Sequence, residues 1–112
     1  MNRVTNREKY HFDDFTENAY RECLKLAKSR YTFINFHQLQ KPGRVCLWRH
    51  DVDTSPQRGL ALARIEKEEG IQSTFFFLLH SDRYNTLDYQ VREVIRNIQA
   101  LGHEIGLHFD PV

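Results

Sequence analysis

Val45-Cys46-Leu47-Trp48-Arg49-His50-Asp51-Val52-Asp53-Thr54-Ser55-Pro56 runs from an apolar strand into acids and then straight into a helix start. Ser55 and Pro56 supply an N-cap and a first-turn proline, so strand gives way to helix within a few residues. Gly70 closes that helix, and Ala61, Leu62 and Ile65 are expected to form its inner stripe. Thr74-Phe75-Phe76-Phe77-Leu78-Leu79 is an unbroken apolar run of the kind buried on both faces. A second helix carries Val91, Val94, Ile95, Ile98 and Leu101 on one face and stops at Gly102; Glu104 to Phe109 reads as a third strand. The order β-α-β-α-β predicts an α/β fold with parallel strands and right-handed crossovers.

Working outward, Phe12, Phe15, Ala19, Cys23 and Ala27 recur at helical spacing, with Asp13 and Asp14 as cap candidates. They predict a helix from about residue 14 to 30. Tyr31 to Phe36 is β-prone. The turn at Pro42-Gly43 is the best internal boundary, separating an N-terminal helical segment with a short strand (1–43) from the alternating part (44–112).

The chain has 112 residues, 40% apolar and 28% charged, with a formal net charge of +1. That suffices for one domain with a single core. Interspersed charges of both signs give no electrostatic reason to expect nucleic acid or an anionic membrane as partner. No apolar run approaches the roughly 20 residues of a membrane span. The first residues hold no apolar stretch for a secretory signal, so a cytoplasmic location is expected. Cys23 and Cys46 read as small apolar fillers rather than a disulfide or metal pair.

In parallel α/β folds, ligands and reacting groups gather at the carboxyl ends of strands. Asp51 and Asp53 end the first strand, and His108 lies near the end of the third. Aspartates two apart on extended chain face the same way, and two such carboxylates repel unless a cation or a shared proton relieves them. Carboxylate with imidazole is a partial ligand set for zinc or a related divalent ion. The ordinary structural readings stand beside this one. Asp-x-Asp before a helix start is also a solvated turn favoured by the helix N-terminus, and His108 a hydrogen-bonded strand-end histidine. His80 ends the second strand and lines the same mouth if it points inward. Arg49 and His50 either orient Asp51 or pack under the loop. Tyr84 and Asn85 are candidates for substrate contact or for a turn. His103 is expected to cover the last carbonyls of the helix that Gly102 terminates, and His11 and His37 to lie at the surface.

Leu47 to Asp53, Gly70-Ile71-Gln72-Ser73-Thr74-Phe75-Phe76 and Gly102-His103-Glu104-Ile105-Gly106-Leu107-His108 together resemble the polysaccharide deacetylase, or NodB-homology, family across roughly residues 44 to 110. The Arg-His-Asp-Val-Asp form is similar to a branch found among surface-polysaccharide biosynthesis proteins. The resemblance implies a distorted (β/α) barrel and metal-dependent removal of acetyl groups from N-acetylated sugars. It also implies a divalent cofactor: zinc, or else cobalt or nickel. Asp51 then resembles the general base, Asp53 the first metal ligand, and His108 the first histidine of a His-x-x-x-His pair. Val112 stands where the second histidine belongs, and Asp110 is the oxygen ligand that would replace it. About three barrel strands are present, so a truncated form is expected, with self-association through an uncovered sheet. Two other functions remain open. One is a non-catalytic fragment or assembly module. The other is a haloacid-dehalogenase-like phosphatase, with Asp51 as nucleophile, Asp53 beside it, magnesium, and Ser81 supplying the hydroxyl.

Overall fold

The Thr16 hydroxyl accepts the Ala19 N–H at 3.1 Å and opens the first helix, α1 (Glu17–Arg30). A computed structural model describes residues 16–40, 42–79 and 81–108; the cap candidates Asp13 and Asp14, with Phe12, Phe15 and His11, lie outside these. The inner face of α1 keeps Ala27 of the expected stripe and otherwise turns toward Tyr20 and Leu24. Leu24 is fully buried, Tyr20 and Ala27 pack beside it, and Cys23 is exposed. The larger side chains at 20 and 24 decide which face turns inward, because they bury more apolar area than alanine and cysteine.

The chain continues through β1 (Thr32–Phe33), a 3-10 turn at Phe36–Gln38, β2 (Val45–Cys46) and β3 (Arg49–Val52). The strand read from Val45 to Asp53 is thus two short strands in two sheets. β2 pairs in parallel with β1, and β3 pairs in parallel with β4 (Thr74–Leu78). Leu47 and Trp48 carry the chain between them. The large Trp48 ring turns toward Phe33, with centroids 5.8 Å apart, and joins the small core under α1.

Ser55 accepts the Arg58 N–H at 3.3 Å and starts α2 (Pro56–Glu68). Pro56, Gly59, Leu60, Ala63 and Glu66 form its buried stripe, while Ala61 is exposed. Gly59 sets this rotation. A Cβ there would lie 3.4 Å from a Val52 methyl, so the helix rests closely on β3 along that line. α3 (Tyr89–Ala100) buries Val91, Val94 and Ile98, with Ile95 and Leu101 half-buried, as its periodicity predicts. Gly70 and Gly102, both at positive φ, terminate α2 and α3. β5 (Glu104–His108) completes a three-stranded parallel sheet in the order β3-β4-β5.

The domain is therefore α/β, with parallel strands and three helices. Phe75 and Phe77 are sealed between the sheet and α2/α3, at 0% and 1% exposure, and contribute on the order of 2 kcal/mol each. Leu79, expected to end the β4 run, is outside the strand and half exposed. None of the helices is long and apolar enough to cross a membrane, among the described residues.

Candidate active site at the strand ends

Register places the predicted site residues. Asp51 pairs with Phe76, Phe76 with Gly106, and two rows further Leu78 pairs with His108. Val52 pairs with Phe77, so extending the register by one residue brings Asp53 level with Leu78 and His108. All three predicted residues thus stand at the carboxyl edge of one sheet. With strands about 4.8 Å apart, the backbones of Asp53 and His108 are separated by roughly 10 Å.

Arg49 and Asp51, two apart on β3, share the face opposite the helices. Their side chains form an ion pair at 2.6 Å, both part-exposed. The guanidinium lies 4.1 Å from the centre of the Phe76 ring, and Phe36 meets that ring edge-on at 5.6 Å. Gly106 completes the platform. A Cβ on it would come within 2.6 Å of the Phe76 ring, so the second glycine of Gly-His-Glu-Ile-Gly makes room for an aromatic on the neighbouring strand. Asp53 is exposed at the end of β3. For His108 the backbone position alone is described, and His80 and Asp110 lie outside the described residues.

His50 lies on the other face of the sheet. Its ring stacks on Phe75 at 4.6 Å, and its Nε2 donates to Glu66 at 2.7 Å. Glu66, fully buried on α2, also accepts from the Tyr20 hydroxyl at 3.0 Å and from the Ser73 hydroxyl. Trp48 Nε1 in turn donates to the Tyr20 oxygen at 3.0 Å. Burial, and then the Glu66 carboxylate, push the Tyr20 phenol well above its ordinary pKa, so it stays a donor. His103 does not cap α3. Its Nδ1 accepts the Ser73 N–H at 3.1 Å and its Nε2 donates to the Ala63 carbonyl at 2.9 Å, which fixes a neutral tautomer. Acid, imidazole and hydroxyl here have the residue types of a nucleophilic triad, but Glu66 and Ser73 are 0% exposed and no substrate reaches them. This network is structural. An acid on the apolar stripe of a helix, opposite a histidine on a strand, is the sequence signal that would have found it.

Elsewhere, Glu104 accepts from His37 Nδ1 at 2.7 Å, the Phe36 N–H at 3.1 Å and the Thr74 hydroxyl at 3.1 Å. Burial alone would raise its pKa; the three donors outweigh that and hold it below the ordinary carboxylate value. Tyr84, a candidate for substrate contact, is buried, and Asn85 serves the turn by accepting the Leu87 N–H at 2.9 Å. A cavity of about 480 Å³ bordered by Lys28, Lys67, Gly70 and Gly102 lies at the other end of the domain, where α1, α2 and α3 finish. Lys28 there covers the Glu69 carbonyl at 2.8 Å, so its charge already serves a helix end.

The carboxylates of Asp51 and Asp53 are oxygen donors of the type a divalent ion accepts. Among the described residues no three histidine, cysteine or acidic side chains form a cluster able to hold one. Comparison of the chain with protein-family models, with curated proteins and with solved structures finds no match.

Proposed function

We propose that the chain is a polysaccharide-deacetylase-like hydrolase of N-acetylated sugars, cleaving the amide C–N bond, built on the first strands of a (β/α) barrel of the NodB type. The observation that carries this reading is the alignment of Asp51, Asp53 and His108 along the carboxyl edge of one parallel sheet. An aspartate at position 53 and a histidine at position 108, on backbones roughly 10 Å apart, supply donor types that a divalent ion takes. Asp53 and His108 would hold a divalent ion, zinc or else cobalt or nickel, with Asp110 as a further oxygen-ligand candidate and His80 as a supporting or substrate-contacting one. Such an ion supplies a bound water of lowered pKa and polarises the acetyl carbonyl.

The chain's own residues do the remainder. Asp51 takes the proton from the attacking water, and the Arg49 guanidinium fixes that carboxylate in orientation at 2.6 Å. Phe76 holds the Arg49 guanidinium against its ring face, beside the acids. The phosphatase alternative calls for an insertion after the first strand, whereas α2 begins at Pro56, directly after the Ser55 cap.

Acetate release from an N-acetylglucosamine oligomer, with zinc, cobalt or nickel supplied, tests the proposal. Release is expected, with Asp51→Asn lowering the rate by about 100-fold or more. Phosphate release from an aryl phosphate with magnesium, in place of acetate release, would establish the phosphatase. Neither activity would leave a non-catalytic assembly module.

A further inference from the structure

Helices α2 and α3 follow the parallel strands β3 and β4, so both begin on the carboxyl side of the sheet, where Asp53 follows β3. A cavity of about 420 Å³ lies between their first turns. It is bordered by Gln57 of α2, by Asp88, Tyr89 and Gln90 at the start of α3, and by Val91, a buried member of the main core. Gln57 stands four residues after Asp53, within about 14 Å of it even on fully extended chain.

The polar and aromatic groups around this cavity are turned to water, not to the fold. Tyr89 is 72% exposed, and Gln57 and Gln90 are exposed as well. Asp88 holds the N-cap position of α3, where an aspartate ordinarily bonds the first-turn N–H groups, yet its carboxylate makes no such bond.

Their chemistry selects a ligand. An anion would meet the Asp88 carboxylate, and no basic side chain is among the described residues that border the cavity. A wholly apolar ligand would strip water from two amides and an acid without returning a hydrogen bond. A sugar ring meets both demands. Its C–H faces suit the exposed Tyr89 ring, and its hydroxyls, each donor and acceptor, suit Gln57, Asp88 and Gln90.

We propose that this cavity is a saccharide subsite, in which Tyr89 stacks on a sugar unit linked to the one at the Asp51 edge. The saccharide chemistry comes from the cavity; that the sugar is N-acetylated rests on the function proposed above.

Titration of the isotope-labelled chain with an N-acetylglucosamine oligomer, followed by nuclear magnetic resonance, tests the subsite without metal or turnover. Acetate release is measured beside it. The amide signals of residues 57 and 88–90 should move. Tyr89→Ala should weaken binding about tenfold, while Tyr89→Phe, which keeps the ring, should bind as the wild type does. Gln57→Ala, on the other helix, should also weaken it. These side chains are exposed, so each variant should keep the wild-type melting temperature. Binding that leaves those signals still, or that Tyr89→Ala does not weaken, overturns the subsite, and acetate release then decides the function alone. No binding overturns it equally. Binding that Tyr89→Ala weakens, with no acetate released, upholds the subsite and removes the deacetylase reading.

Discussion

At the scale of single residues, Glu104 shows how one carboxylate fastens a turn to a sheet. It gathers the 3-10 turn through His37 and the Phe36 N–H, and β4 through Thr74. Its pKa is lower folded than unfolded, so the stability it contributes is present above the unfolded value of about 4.3 and is lost as pH falls through the folded one. Glu104→Gln is expected to cost up to about 1 kcal/mol near neutral pH, because His37 is largely exposed and screened. Urea midpoints of the two proteins should converge as the pH drops below about 4; a gap independent of pH would show that the carboxylate charge is not what holds the turn. The acids of the candidate site were legible at this scale, since Asp-x-Asp ending an apolar strand has a fixed facing. The Arg49–Asp51 pair follows from the same alternation. The two bonds of the Tyr84 hydroxyl, to the Leu78 N–H and the Val52 carbonyl, were not legible, because both partners are backbone groups of other segments and leave no mark on residue type.

Among the elements, α3 was read well and α1 and α2 less well. α3 is strongly amphipathic, so its stripe has one solution. α1 and α2 offer competing faces, and the choice depends on a long-range contact in one case and side-chain size in the other. The close approach of Gly59 to Val52 is invisible until β3 lies beneath the helix. The break between β2 and β3 had the same origin, in that Trp48 follows Phe33 of a distant strand. Gly106 belongs to the sheet in the same sense, since Phe76 fills the space above it. Gly106→Ala should destabilise the protein by about 1–3 kcal/mol through overpacking, measured by chemical denaturation. Pairing it with Phe76→Leu should recover part of that loss, because the smaller side chain vacates the collision. An additive loss in the double variant would mean that the ring is not the obstacle.

For the molecule as a whole, α1 is tied to the sheet layer by polar contacts as much as by apolar ones. Glu66 joins α1, β3 and the start of β4 through Tyr20, His50 and Ser73, while Arg21 reaches Glu68 and Glu69 at the end of α2. Removing one member of such a buried set strands the others without partners. Glu66→Ala should therefore cost about 3–5 kcal/mol and show as a large drop in melting temperature. A loss below about 1 kcal/mol would mean that water replaces the carboxylate and that the network is not sealed. The α/β class and parallel pairing were legible from the alternation of strand and helix alone. The buried network was not read, because the pairing of Glu66 with His50 depends on α2 lying over β3, which neither residue shows by itself.

The proposed shared metal site at the carboxyl edge of the sheet is tested most directly by calorimetric titration of the chain with zinc, cobalt and nickel, beside Asp53→Ala and His108→Ala. Stoichiometric binding that each substitution abolishes is the result predicted from the level placement of positions 53 and 108. Binding indifferent to both substitutions, or no binding at all, would contradict it.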